Sequence, residues 1–421
     1  MKLDRLHLQH FRCFEDFRID FAPGINVLTG ANSSGKTTVL EAARRALSTF
    51  FTGFSDENTK FIGLSDEDFS VQESESGEEI TAKNPVRVSF SLNGKEGLLQ
   101  LNSKKTGTLK TPLRNIENMT KDIYNGHFLE KRRVLSLPMF TYFSTKEIVK
   151  EPRDIDYKTQ PSFGYRECLE GTDLFYYWIK RLLVLVEAGK NAEEIESIKQ
   201  AVADALGKDG CGIIEGMDIR PNKKSVYFLF TDGREIDYKH LSDGYDRLVN
   251  MVIDLASRAM VLNKGIYGAE ACRKTEGVVL IDEIDLHLHP EMQLKVLNGL
   301  QKAFPALQFI VTTHSPLVAA GLKAGENNKL FNLAYNGENY ICNAADIYGM
   351  DASTTLKTYM GAPSRVPAIQ EHLDELEQAI DDEEIEKAES LLQGLKQEAS
   401  SLPEIVKFET MITWLKDEKN Q

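Results

Sequence analysis

Gly30-Ala31-Asn32-Ser33-Ser34-Gly35-Lys36-Thr37 has the form G-x-x-x-x-G-K-S/T, the Walker A pattern. An apolar run, Ile25-Asn26-Val27-Leu28, leads into it and reads as a buried strand. Beyond it Val39, Leu40, Ala43, Ala46 and Leu47 recur at helical spacing as far as Phe50. A strand, a glycine-rich turn and a helix in that order make a phosphate cradle. The backbone N–H groups of Gly30, Ser33, Ser34 and Gly35 can wrap the phosphates, and the helix N-terminus adds partial positive charge. Lys36 is expected to reach the β- and γ-phosphates, Thr37 to hold Mg²⁺ through its hydroxyl, and Thr38 to border the nucleotide. A chance glycine-rich turn is the bland alternative, and the placement between strand and helix argues against it.

Three further stretches carry chemistry. Gly277-Val278-Val279-Leu280-Ile281-Asp282-Glu283 is an apolar strand ending in two carboxylates. Asp282 is expected to hold the metal through coordinated water, while Glu283, facing the other way, polarises the attacking water as general base. Val311-Thr312-Thr313-His314-Ser315-Pro316 ends the next strand. Leu241-Ser242-Asp243-Gly244-Tyr245 opens a long helix, and Ser242 and Asp243 are by themselves ordinary N-cap residues. With Ser242 as cap and Gly244 permitting close backbone approach, that helix end is also a good γ-phosphate ligand. His287 and His289 form an H-x-H pair with no further Cys or His nearby to complete a metal site.

The order of these motifs, together with the opening Leu8-Gln9-His10-Phe11-Arg12-Cys13-Phe14, resembles the RecF/SMC/OLD class of ABC-type ATPases, which begins N-F-R-x-F. The runs Asp282-Glu283-Ile284-Asp285-Leu286-His287-Leu288-His289-Pro290 and Thr312-Thr313-His314-Ser315-Pro316 are similar to that class as well. The resemblance covers residues 1 to about 345. It implies that LSDGY is the signature motif, which serves the ATP of a second subunit. Ser242 and Gly244 would then be nucleotide ligands in a homodimer or higher homo-oligomer joined through its ATP sites. It implies that His314 is the switch histidine that contacts the γ-phosphate and the water, that Arg12 and Asn32 lie near the nucleotide, and that Asp285 contacts the opposite subunit. There are two departures. No clear Q-loop glutamine is evident, Gln160 lying only in a plausible linker, and there is no room for a long coiled coil between the Walker motifs.

The expected fold class is therefore α/β: a P-loop ABC-type ATPase head, with a helical lobe inserted between Walker A and signature and a C-terminal helical hairpin. The divisions read as 1–150 (first lobe, with Walker A), 151–262 (helical lobe ending in the signature helix), 263–345 (Walker B and switch histidine) and 346–421 (acidic helical tail). Within the first, residues 3–21 read as a hairpin and 53–82 as an acidic mobile loop. Val86–Leu92, the turn Asn93-Gly94 and Leu98–Leu101 read as a second hairpin. Residues 138–145 read as a strand and 165–206 as helical. Val226–Phe230 and Glu235–Tyr238, joined at Asp232-Gly233, read as a third hairpin. The tail, with Tyr359-Met360-Gly361 and its acidic hairpin, resembles stand-alone bacterial ATPases, among them the ATPase subunits of anti-phage modules such as Septu and certain retrons, which act with a separate nuclease.

Composition narrows the setting. The 421 residues carry a formal charge of −14, which disfavours nucleic acid and acidic membranes as partners of the whole surface. Residues 104–133 run against this, with eight basic residues to three acidic; they read as a solvated loop or as a contact to DNA or a partner. Five scattered cysteines suggest reduced thiols in the cytoplasm. No signal peptide is apparent, and the strongest apolar stretch, Leu182–Val186, is too short to span a bilayer. The leading reading is an ATP-hydrolysing regulatory subunit whose nucleotide-gated dimerisation controls an effector, an HNH-type nuclease, in anti-phage defence. A RecF-like DNA-binding repair ATPase is the alternative. A transporter subunit and a slowly hydrolysing scaffold fit the motifs less well.

Overall fold

The computed structural model describes residues 1–54, 56–73, 79–81, 85–103, 108, 113–129, 135–145, 148–149 and 160–419. The chain divides into two compact units, Met1–Thr355 and Leu356–Gln421.

The first unit opens with the expected hairpin, β1 (Leu3–Phe11) and β2 (Phe14–Asp20). Next, β3 (Ile25–Gly30), buried at every position, feeds the glycine-rich turn and α1 (Lys36–Ser48). Two short strands, β4 (Val71–Glu73) and β5 (Glu79–Thr81), precede β6 (Val86–Leu92) and β7 (Lys95–Leu101). Asn93 and Gly94 between β6 and β7 both take positive φ, 53° and 71°, the backbone of a tight hairpin turn that matches strand twist. Strands β2-β1-β6-β7 form one antiparallel sheet.

The middle of the unit contains α2 (Arg114–Tyr124), β8 (Met139–Phe143) and a parallel pair, β9 (Ile148–Val149) with β10 (Thr172–Asp173). Helices α3 (Phe175–Glu187) and α4 (Ala192–Leu206) follow. Then come β11 (Ile214–Arg220), β12 (Ser225–Phe230) and β13 (Glu235–Asp237), a three-stranded antiparallel sheet. Helix α5 (Asp243–Tyr267) is buried along almost its whole length from Arg247 to Asn263, as a core helix should be. After α6 (Ala271–Lys274), the chain continues through β14 (Gly277–Ile281), α7 (Pro290–Gln293), α8 (Val296–Ala303), β15 (Leu307–Thr312), α9 (Pro316–Ala320), β16 (Lys329–Tyr335) and β17 (Tyr340–Ala345).

The main sheet has the order β17-β16-β3-β15-β14-β8, parallel throughout except for the edge strand β17. Helices cover its faces, which is why β3, β8, β14 and β15 read as continuous apolar runs rather than alternating ones. The carboxyl ends of β3, β14 and β15 lie side by side, so the three motifs that follow them meet in space.

Several expectations are corrected. The segment 53–82 is not simply a loose loop: a 3-10 turn at Asp66–Asp68 buries Asp68 completely, where it accepts from Arg12 Nε (3.1 Å), Arg45 Nε (2.8 Å) and Ser65 N (2.9 Å). A carboxylate ringed by two guanidinium groups offsets its own desolvation. Helix begins only at Phe175, because residues 161–174 are occupied by a 3-10 turn (Pro161–Tyr165), further turns and β10. The inserted lobe is mixed, since β11 joins the hairpin β12–β13 as a third strand. Of the basic stretch, Arg114 and Lys121 sit on α2, where Lys121 pairs with Glu117; Lys104, Lys105, Lys110, Lys131, Arg132 and Arg133 lie outside the described residues.

The second unit comprises the end of α10 (Ala352–Thr358) with α11 (Pro367–Asp381), α12 (Ile385–Glu398) and α13 (Glu404–Lys419). The hairpin α11–α12 closes with α13 on a core of its own, centred on Leu376, Leu392, Leu395 and Phe408. Among the described residues, no helix is long and apolar enough to cross a membrane.

Candidate nucleotide site

The glycine-rich turn has the backbone its sequence demands. Ser33 adopts φ 64° and Gly35 φ 92°, and a Cβ on Gly35 would lie 2.4 Å from the ring of Phe14. The β1–β2 turn thus packs directly on the loop, with Cys13 Sγ 3.8 Å from Thr38 Oγ1. Ala31, Asn32 and Ser33 are exposed at the rim. Among the described residues Ser34 Oγ is buried without a hydrogen-bond partner, a costly arrangement that an acceptor oxygen in the cradle would relieve. Lys36 arches back over the turn, and its Nζ donates to the carbonyls of Gly30 and Ala31, 2.9 Å each. Burial lowers the Lys36 pKa, opposed by the nearby carboxylates Asp282, Glu283 and Asp285.

The strand ends complete the centre. Asp282, 3% exposed, accepts from Thr37 Oγ1 at 3.1 Å and from Thr312 Oγ1 at 2.7 Å. The two oxygen donors expected to hold Mg²⁺ are therefore adjacent, a hard-ligand pair that fits that cation with phosphate oxygens and water completing the shell. Glu283 takes φ 49°, uncommon for a residue with a side chain, and its N–H donates to Thr312 Oγ1 at 2.7 Å. Among the described residues no hydrogen bond engages the Glu283 carboxylate. Thr312, which the motifs did not single out, thus holds both acidic residues; its only sequence signal is its place before Thr313-His314.

Asp285 serves this chain directly. Its Oδ1 accepts from Thr313 Oγ1 at 2.5 Å and from the N–H of His314 at 3.3 Å, fastening the turn after β14 to the end of β15. His314 itself is exposed at the rim. Ser315 accepts from the N–H groups of Leu317 and Val318 and donates to Gln293, capping α9. His289 caps α7 through Nδ1, a structural role for one half of the H-x-H pair.

The signature region departs from the simple N-cap reading. Ser242 occupies the N-cap of α5 and its carbonyl accepts from Asp246 N, but its hydroxyl makes no cap bond, and Ser242 and Asp243 are both exposed. Gly244 is buried, and a Cβ there would lie 2.3 Å from the carbonyl of His287. The glycine is thus required within the chain, by the turn that follows β14. Arg247, one turn further on, donates through Nη2 to the carbonyl of Asp282 at 2.7 Å. None of the hydrogen bonds among the described residues links Ser242 to Gly30–Thr37.

Arg12 stands beside the loop, but its guanidinium is engaged by Asp68, with Glu41 3.9 Å from Nη2. Gln160, exposed, precedes the 3-10 turn at Pro161–Tyr165.

Residues 25–320, well over half the chain and spanning Gly30–Thr37, Leu241–Tyr245, Asp282-Glu283 and His314, match the family described as "AAA domain, putative AbiEii toxin, Type IV TA system". The chain belongs to that family. It is a P-loop ATPase. Among proteins similar to this family member is the Retron Vc95 probable ATPase of Vibrio cholerae serotype O1 biovar El Tor, 24% identical over 415 residues, covering 85% of this chain and 78% of the relative. The Septu protein PtuA of Bacillus mycoides (strain KBAB4) is 27% identical over 331 residues, covering 77% of this chain; the chain spans only 40% of that relative's length. Of solved structures, the SMC head bound to the C-terminal winged-helix domain of ScpA aligns at 15% identity with a TM-score of 0.46, covering 82% of this chain and 98% of that one.

Proposed function

We propose that this ATPase is a regulatory subunit of an anti-phage system, in which ATP draws two or more copies together and hydrolysis lets them part. The observation that carries the reading is the pairing of Thr37 Oγ1 with Asp282 at 3.1 Å, beside a Glu283 carboxylate that no hydrogen bond among the described residues engages. Thr37 and Asp282 would hold Mg²⁺, which when bound neutralises charge between the β- and γ-phosphates. The N–H groups of Gly30–Thr37, the Ser34 hydroxyl and the Lys36 ammonium would bind the phosphate oxygens. Glu283 would accept the proton of the attacking water, and His314 would hold that water and the γ-phosphate oxygens from the rim. The exposed hydroxyl of Ser242 at the mouth of α5, which makes no cap bond to its own helix, suits a phosphate on another subunit.

The output is assigned to a separate effector, a nuclease of the HNH type. The names of the retron and Septu relatives support the defence setting. Light scattering of the full chain with Mg²⁺ and ATP tests the first half of this reading: a Glu283→Gln protein should accumulate as a larger species with ATP and not with ADP. A species unchanged by ATP would overturn it. Phage plating with the gene and its neighbours tests the second half: protection should be lost with Lys36→Ala and with deletion of the adjoining effector gene. Protection by the chain alone would overturn the partner assignment.

A further inference from the structure

We propose that Tyr335 and Tyr340, on the β16–β17 hairpin, form a stacking shelf for the nucleobase of the bound nucleotide. The placement follows from strand register. Strand β16 runs parallel to β3 with Leu333 opposite Gly30, where the phosphate loop begins. Tyr335 lies two residues further, about 7 Å beyond that point at the usual rise per residue. Tyr340 is its partner across the hairpin. Both tyrosines thus stand past the carboxyl end of the sheet beside the phosphate loop, the place where open α/β sheets take their ligands.

Contacts tie the shelf to the loop. The Phe14 ring, which fills the space over Gly35, meets Tyr340 edge-on with centroids 5.2 Å apart. The Cys13 thiol, next to Phe14 in the same turn, lies 3.8 Å from Thr38 Oγ1. The β1–β2 turn, touching Thr38 through Cys13 and Tyr340 through Phe14, therefore links the first turn of α1 to the shelf. The two tyrosine rings sit 5.0 Å apart, and Tyr335 is 56% exposed. An exposed ring and a half-buried one, side by side next to a phosphate cradle, suit a flat, π-rich ligand. A shelf offers a ring face rather than an edge, so it would grip any nucleobase.

This inference rests on the assignment of Gly30–Thr37 as the phosphate cradle and is independent of the partner. The test compares two ligands, ATP and inorganic tripolyphosphate, each titrated with Mg²⁺ into the full chain by calorimetry. Tyr340→Ala should weaken ATP binding about tenfold and leave tripolyphosphate unchanged. Tyr340→Phe should keep most of the ATP affinity. Tyr335→Ala, at the more exposed of the two rings, should give a smaller loss confined to ATP. Unchanged ATP affinity in both alanine variants, or equal losses for ATP and tripolyphosphate, would overturn the shelf. Lys36→Ala separates the underlying assignment: it should weaken both ligands, and unaltered tripolyphosphate binding there would discard the cradle rather than the shelf.

Discussion

Arg247 holds the main-chain carbonyl of Asp282 from 2.7 Å away, so the helix that opens at Ser242 is fastened to the strand end that carries the carboxylate proposed to hold Mg²⁺. The Asp282 side chain is gripped in turn by Thr37 and Thr312. Three elements thus converge on one residue. Arg247→Ala should leave a buried carbonyl without its donor, at a cost of about 1–3 kcal/mol, and ATP turnover should fall as Asp282 loosens. Arg247→Lys keeps the charge but not the fork, and should recover stability better than turnover. Urea melts and phosphate-release rates on the same preparations check both.

Glu283→Gln keeps the size of the side chain and removes its basicity. Turnover should drop by about 10²-fold or more, with ATP affinity preserved. A rate near wild type would remove Glu283 from the general-base role.

Ser242→Arg places a bulky cation at an exposed position outside the cradle of its own chain. Hydrolysis should be abolished while ATP binding persists, because the defect falls on a neighbouring copy's site. Mixing this variant with Lys36→Ala should restore part of the activity, since each protein supplies what the other lacks. No recovery on mixing would argue for a site complete within one chain.

Glu41 lies among Arg44, Arg45 and Arg12 on the helix behind the loop. Burial works against its charged form, but the three guanidinium groups outweigh this and hold its carboxyl below the ordinary range. A depressed carboxyl stabilises the fold above its unfolded pKa of about 4.3 and loses that contribution as pH falls through the folded value. Glu41→Gln should therefore be clearly less stable than wild type at pH 7, and the difference should shrink in acid. Denaturation midpoints across that range report it.

Asp246 has the opposite sign. Burial, then Asp173 and Asp243, push its carboxyl up to about 6. A raised carboxyl weakens the fold while ionised, so its strain is relieved as pH drops from above 6 towards 4. Asp246→Asn should raise stability at pH 8 by about 1 kcal/mol, allowing for partial solvent screening, and by little near pH 4. A uniform shift at both pH values would show the effect to be packing rather than charge.

Much of this was legible in the chain. Gly30–Thr37, Asp282-Glu283 and Thr313-His314 each sit at the end of an apolar strand, and a parallel sheet with covered faces leaves few other ways to arrange them. The long helix after LSDGY and the two-residue turn at Asn93-Gly94 were equally plain. Strand β11 was missed because Ile214–Arg220 carries charged and polar residues that blur its alternation. Asp68 was hidden inside an acidic, serine-rich stretch, where composition speaks for solvent and only the two arginines from distant elements reveal burial.

The sequence by itself determined the fold class and the loop, since periodicity and glycine placement act over a few neighbouring residues. It also marked Ser242 and Gly244 as a pair. Only the tertiary structure decided what each of them does within the chain. Gly244 is a contact point for the carbonyl of His287, the Ser242 hydroxyl makes no cap bond to α5, and Thr312 and Arg247 fasten the strand end at Asp282. Those relationships join residues about 30 to 43 positions apart, and close approach across such separations is set by how packed elements meet, which no local pattern encodes.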